Sequence, residues 1–209
     1  MSQLEQHLDH YSAQLEQLKQ QGNLRQFTSN IQHGRTIQIK GQSMLNLSSN
    51  DYLGLASDLH LREQFFDQTP NDLRIMSSSS SRLLTGNFPE YEQLEASLSQ
   101  VFYGRSALLF NSGYHMNIGI LPALSDARTL ILADKLIHAS MIDGIRLSSA
   151  KYVRYRHNDL NHLSQLLQKY HADESFDRII VVTESIFSMD GDETDLAELV
   201  RIKQQFSKV

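Results

Sequence analysis

The chain has no cysteine among its 209 residues. That excludes disulfides, thiolate nucleophiles and Cys-based zinc sites, and it fits a reducing compartment. It has no basic run either: the net charge of −5 is spread along the sequence, so the electrostatic footprint needed to hold nucleic acid is missing. No stretch approaches the roughly 20 consecutive apolar residues of a membrane span. The first residues carry Gln, Glu, His and Asp instead of the basic and then apolar run of a secretory leader. These absences point to the cytoplasm and away from membrane and nucleic-acid partners. Neither G-x-G-x-x-G nor a Walker sequence occurs, so a nucleotide is not indicated. His157 and His162 lack the spacing of H-E-x-x-H, and Asp190 and Asp192 do not fit the EF-hand pattern, so no metal site is indicated.

The composition that remains, 40% hydrophobic, is that of an ordinary globular chain long enough to bury a core. Leu4, Leu8, Tyr11, Leu15 and Leu18 recur at spacings of four and three. This predicts an amphipathic helix ending near Gly22, which either docks as an arm or enters a short coiled coil. Residues 35–39 and 43–47 alternate polar and apolar around Lys40-Gly41-Gln42, the pattern of a hairpin with glycine in its turn. Residues 1–48 therefore read as a small unit of helix and hairpin, and residues 49–209 as a second domain.

Beyond Pro89, helical periods alternate with short apolar runs. A helix opens at Pro89-Glu90, turns Leu94, Leu98, Val101 and Phe102 inward and stops at Gly104. Strands are predicted at 107–110, 129–133, 151–155 and 178–184. Helices are predicted at 114–124, 139–148, 160–170 and 196–206. Repeated strand–helix units imply an α/β fold with a mostly parallel sheet.

The chemistry-bearing residues lie just past the predicted strand ends, where open α/β sheets place their sites. Gly113 and Tyr114 open a helix, so their amides either cradle a phosphate or simply form a turn. His138, between a strand and Ala139-Ser140, either lies flat on a planar ligand or caps the next helix. Ser188, in Ser188-Met189-Asp190-Gly191-Asp192, either reaches a ligand's phenolic or phosphate oxygen or belongs to a turn in which Gly191 adopts an unusual conformation.

Read in order, Leu45-Asn46-Leu47-Ser48-Ser49-Asn50-Asp51-Tyr52-Leu53-Gly54-Leu55, Ser81-Arg82-Leu83-Leu84-Thr85-Gly86, Phe110-Asn111-Ser112-Gly113-Tyr114, His138-Ala139-Ser140 and Phe187-Ser188-Met189-Asp190-Gly191-Asp192 resemble the α-oxoamine synthases from about Arg25 to Val209. The resemblance implies the type I fold of pyridoxal-phosphate (PLP) transferases. It also implies an acyltransferase reaction of biotin biosynthesis: decarboxylative condensation of L-alanine with a pimeloyl thioester carried on acyl carrier protein or CoA, in a homodimer. By the same resemblance Gly113 and Tyr114 bind the cofactor phosphate. His138 stacks on the cofactor ring and touches substrate, Ser188 lies near the cofactor, Arg25 binds the acyl carboxylate and Asn50 lines the site. The run Ser77–Ser81 stands where the family is usually glycine-rich, which affects a loop near substrate.

None of Lys135, Lys151, Lys169, Lys203 or Lys208 stands where the family's Schiff-base lysine does. The resemblance places that lysine beyond Val209, so the chain reads as an N-terminal half, inactive alone. Glycine C-acetyltransferase and 5-aminolevulinate synthase share this scaffold with other substrates, and a non-catalytic partner subunit is the remaining alternative. The resemblance also implies that the strand at 107–110 pairs with strands this chain does not contain, so the isolated chain is expected to be marginally stable or to associate.

Overall fold

The computed structural model describes residues 3–74 and 77–209, with side chains in the first helix from residue 9 onward. It divides into two compact units, Met1–Ser80 and Ser81–Val209. The boundary falls later in the chain than the division after residue 48 read from the sequence.

In the first unit α1 (Gln3–Gln20) is the predicted amphipathic helix, ended by Gly22 at φ 69°. Leu4 and Leu8 of its apolar stripe lie outside the described side chains. Tyr11, Leu15 and Leu18 are 60%, 54% and 40% exposed, so this part of the stripe is uncovered in the structure. The predicted hairpin is present as β2 (Thr36–Ile39) and β3 (Gln42–Leu45), preceded by a strand the sequence did not announce, β1 (Asn30–His33). All three pair antiparallel in the order β1-β2-β3. Lys40 and Gly41 both take positive φ, 49° and 79°, between Ile39 and Gln42. A two-residue turn with both centres left-handed matches the twist of the flanking strands. A further unpredicted helix, α2 (Leu59–Gln68), starts where the Asp58 carboxylate accepts from the Leu61 N–H at 2.9 Å.

The second unit opens with α3 (Pro89–Val101), which begins at the anticipated proline and carries Glu90 and Glu92 in its first turn. Gly104, at φ 78°, closes its end by donating to the Ser99 carbonyl. Leu94, Val101 and Phe102 are about half exposed or more, which corrects the expectation that they turn inward. Residues 107–110 form no strand. An apolar run becomes a strand only when a neighbour supplies the ladder, and among the described residues none pairs here. The Leu109 N–H instead donates to the Glu95 carboxylate at 2.8 Å.

The rest alternates as expected: α4 (Gly113–Ala123), β4 (Thr129–Asp134), α5 (Ala139–Leu147), β5 (Lys151–Tyr155), α6 (Leu160–His171), β6 (Arg178–Val182) and α7 (Leu196–Lys203). The three strands run parallel in the order β5-β4-β6. β4 is buried along its whole length, with the apolar run Leu130–Ala133 between Thr129 and Asp134, as suits a central parallel strand. Its alternation assigns the two faces. Leu130 and Leu132 join Tyr155, Leu163, Leu167, Ile179 and Ile202 beneath α6 and α7. Ile131 and Ala133 join Leu121, Ile137, Ile145, Val182 and Phe187 beneath α4 and α5. The connections leaving the carboxyl ends of β4 and β6 thus start from a sheet packed on both sides, and His138 and Ser188 sit on them. No described helix is long and apolar enough to cross a membrane.

Candidate active site at the carboxyl ends of the parallel strands

Ser112 caps α4: its Oγ accepts from the His115 N–H at 3.1 Å and lies 2.8 Å from His115 Nδ1. The cap occupies one first-turn amide, while those of Gly113 and Tyr114 have no intrahelical acceptor by helix geometry. Gly113 and Tyr114 are both exposed, and nothing lies within 4 Å of where a Cβ on Gly113 would sit. Phosphate suits such a cup, since unpaired N–H groups and the helix dipole both favour an anion. The helix-opening role anticipated for Gly113 and Tyr114 is therefore met, with α4 beginning one residue earlier than predicted.

α4 packs unusually close to α5. A Cβ on Gly144 would collide with the Asn117 backbone carbonyl, so glycine is what permits this approach. Two side-chain bonds cross the contact: Asn117 Nδ2 donates to Ser140 Oγ at 2.9 Å, and the Tyr114 hydroxyl donates to Asp143 at 3.4 Å. Asn117, in the second turn of α4, thereby meets the first turn of α5, which His138 caps.

His138 is the N-cap of α5, and its Nδ1 accepts from the Ser140 N–H at 3.2 Å. An amide can only donate, so Nδ1 is the acceptor. The Ser140 hydroxyl, 2.7 Å away, then donates to the same nitrogen. In the neutral ring the hydrogen sits on Nε2. The Asn117–Ser140–His138 chain of bonds thus fixes the ring's tautomer and plane on an exposed edge. His138 fills the capping role that the sequence offered for it, and its ring is exposed. The His138 N–H also donates to Glu184 Oε1 at 2.5 Å, tying this corner to the end of β6.

Ser188 is exposed on the turn after β6. The turn is closed by an isolated bridge between Ile186 and Glu193, by Phe187 N–H to Asp192 carbonyl, and by Gly191 N–H to Phe187 carbonyl, both 2.9 Å. Gly191 takes φ 75°, the conformation anticipated for it. Arg25 and Asn50 belong to the first unit, where Arg25 is exposed on the extended segment between α1 and β1. Asn50 is exposed on a bend that Asp51 steadies by accepting from the Ala56 N–H. The Ser77–Ser81 run is a loop, with Ser79 at φ 58°.

Sequence reasoning missed one cluster. Asp134 ends β4 with its side chain fully buried, accepting from His157 Nδ1 at 2.9 Å, the Asn158 N–H at 2.7 Å and the Leu136 N–H at 2.8 Å. The other ring nitrogen of His157 lies 3.0 Å from Asp192. Hydrogen bonds to Asp134 first and Asp192 second raise the His157 pKa above the ordinary histidine value. The available signal was a carboxylate terminating the apolar run Leu130–Ala133, a charge that burial tolerates only when paired.

A parallel sheet covered on both faces, with open helix amino termini and polar groups at the strands' carboxyl ends, defines an α/β protein with the type I fold of PLP-dependent transferases. The sequence profile of the aminotransferase class I and II family matches residues 42–208, and the chain belongs to that family. A Pasteurella multocida protein provisionally named 8-amino-7-oxononanoate synthase is 58% identical over 200 residues, 96% of this chain and 51% of that protein. The solved 8-amino-7-oxononanoate synthase of Francisella tularensis is 32% identical, over 74% of this chain and 41% of that one, with a TM-score of 0.59. A serine palmitoyltransferase from S. paucimobilis, solved with a bound PLP–myriocin adduct, shares the fold at 24% identity and a TM-score of 0.76, over 98% of this chain and 51% of that one. The chain spans about half the length of the curated relatives it matches.

Proposed function

We propose that this chain contributes the phosphate cup, the ring-stacking histidine and part of the substrate pocket of a PLP-dependent 8-amino-7-oxononanoate synthase. In this reading L-alanine and a pimeloyl thioester condense with loss of carbon dioxide and release of the thiol carrier, in a cytoplasmic homodimer. The observation that carries the reading is an exposed, serine-capped helix terminus at Gly113-Tyr114 on the same helix whose Asn117 holds the His138 ring through Ser140. The 58% identity to the Pasteurella protein supports the choice within the family.

The residues fit the cofactor. The Gly113 and Tyr114 amides would take its phosphate, because both residues are exposed at the helix terminus. The exposed His138 ring would cover its pyridine face. When bound, the chemistry PLP supplies is an aldehyde that captures the amino acid and a ring that draws off the electron pair freed at its α-carbon. The chain's own contribution is orientation and charge. The Asn117–Ser140 relay holds the His138 plane, so that its Nε2–H can donate to a substrate oxygen. The Ser188 hydroxyl, at the rim of the β6 turn, can donate to a cofactor oxygen. In the first unit Arg25 would pair with the terminal carboxylate of the pimeloyl chain, a bidentate match that a guanidinium provides, and Asn50 would line the pocket.

The test uses the protein that contains this chain, supplied with pimeloyl-CoA or pimeloyl carrier protein and either L-alanine or glycine. Thiol and carbon dioxide release that requires L-alanine is expected, and His138→Ala should lower kcat/KM on the order of a hundredfold. Turnover with glycine and short acyl thioesters in place of these substrates would assign the chain to another α-oxoamine synthase.

A further inference from the structure

His157 belongs to none of the groups assigned to the proposed site, yet it joins three segments that the fold delivers separately. Asp134 comes from the end of β4, His157 from the turn between β5 and α6, and Asp192 from the turn that carries Ser188. Next to the ring, Asn158 repeats the link. In a left-handed conformation (φ 51°), it donates its backbone N–H to Asp134 and its side-chain amide to the Glu193 carbonyl, each at 2.7 Å. The Phe187 ring stands edge-on to the imidazole, with centroids 4.6 Å apart, and Phe187 is itself buried in the core beneath α4 and α5. The Ser188 turn is therefore held at its base by one buried aromatic and along its flank by one imidazole.

We propose that His157 is a positioning residue for Ser188: clasped between Asp134 and Asp192, it fixes the 187–193 turn at the carboxyl edge of the sheet and releases it on losing its proton. A neutral imidazole carries one hydrogen and can donate to only one of the two carboxylates; the other then faces a lone pair. The protonated ring donates to both, and each bond is charge-assisted. From β4 the ring meets Asp134, from the Ser188 turn Asp192 and the Phe187 edge. On its own segment, the Arg156 guanidinium turns away to Asp159 at 2.8 Å. Its pKa is raised, so the clasp is complete below the ordinary histidine value and is lost as pH rises through the raised one.

The inference rests on the reading of Ser188 as a cofactor-side residue only for its consequence in catalysis, and its test needs no cofactor. Amide hydrogen exchange of the protein that contains this chain is followed by mass spectrometry across a pH series, corrected for the intrinsic pH dependence of exchange, with β4 as internal reference. In the unaltered chain, exchange across 185–194 is expected to rise by about three- to tenfold as His157 titrates, while β4 stays protected. Asp192→Asn, at a half-exposed position, should raise exchange of the same segment already at low pH and flatten its pH profile. His157→Gln, unable to titrate, should likewise remove the pH step. A turn whose exchange is unchanged through the titration, or one that keeps its pH step in both variants, would overturn the clasp without touching the assignment of Gly113, Tyr114 and His138. Loss of PLP binding with an intact pH step would do the reverse.

Discussion

The two compact units differ in what holds them. Within Ser81–Val209 a six-residue strand is buried on both faces and two apolar clusters form against it. Within Met1–Ser80 the described residues include no buried hydrophobic side chain, although three helical or hairpin elements are well formed there. Caps, turns and hairpin register are local devices and suffice to shape the first unit. A core is a tertiary product, and only the alternation of Leu130 and Leu132 against Ile131 and Ala133 creates one. Cooperative stability should therefore reside in the second unit, and the candidate site residues that need fixed geometry are mounted on it.

The largest expected effect is at the centre of that core. Leu132, fully buried beneath α6 and α7, replaced by Ala should cost about 2–5 kcal/mol of transfer and cavity energy. This would be read as a lowered urea midpoint with loss of exchange protection across β4, β5 and β6. Exchange in α1 should not change; a parallel rise there would show that the two units share one cooperative core. A smaller loss, about 1–3 kcal/mol, is expected for Gly144→Ala, because the new methyl must displace the Asn117 backbone rather than a mobile side chain. The same variant should loosen His138, seen as a change in its ring nitrogen shifts, since the Asn117–Ser140 bond crosses the displaced contact.

The smallest effect lies at the margin of the second unit. Glu95 accepts from Arg82 at 2.7 and 3.0 Å and from the Leu109 N–H, and these bonds hold its pKa at about 2 instead of 4.5. A depressed carboxylate contributes stability above its unfolded value and loses it as pH falls through the folded one. The difference in urea midpoint between the unaltered chain and Glu95→Gln should thus be constant above pH 4.5 and vanish towards pH 2. A difference that persisted at pH 2 would mean that the Arg82–Glu95 pair does not organise the edge at 107–110.

Much of the second unit is legible in the sequence. β4 and β6 declare themselves as short apolar runs, Leu130–Ala133 and Ile179–Val182, and the proline at 89 and the glycine at 104 bound α3 as the sequence predicts. The run at 107–110 looks the same in sequence, but a strand needs a partner, and partnership is invisible to periodicity. β1, with Gln32 and His33 in four residues, carries no strand composition at all; its register against β2 supplies the reason for it. In the site, His138 and Ser188 could be located because each follows a strand, and Gly113 and Tyr114 because they open a helix after an apolar run. Asp134 and His157 could not be linked, since 23 residues separate the two and only the pairing of β4 with β5 brings them together.

In the proposed site the amino terminus of α4 would receive the phosphate of PLP, and the His138 ring would cover the cofactor. The direct measurement is an amide and imidazole chemical-shift titration of the chain with pyridoxal 5′-phosphate, repeated with pyridoxal. The Gly113 and Tyr114 amides and the His138 ring are expected to shift together with the phosphorylated ligand, and the two amides to stay still with pyridoxal. Equal shifts with both ligands, or shifts confined to lysine-bearing surfaces away from α4, would contradict it.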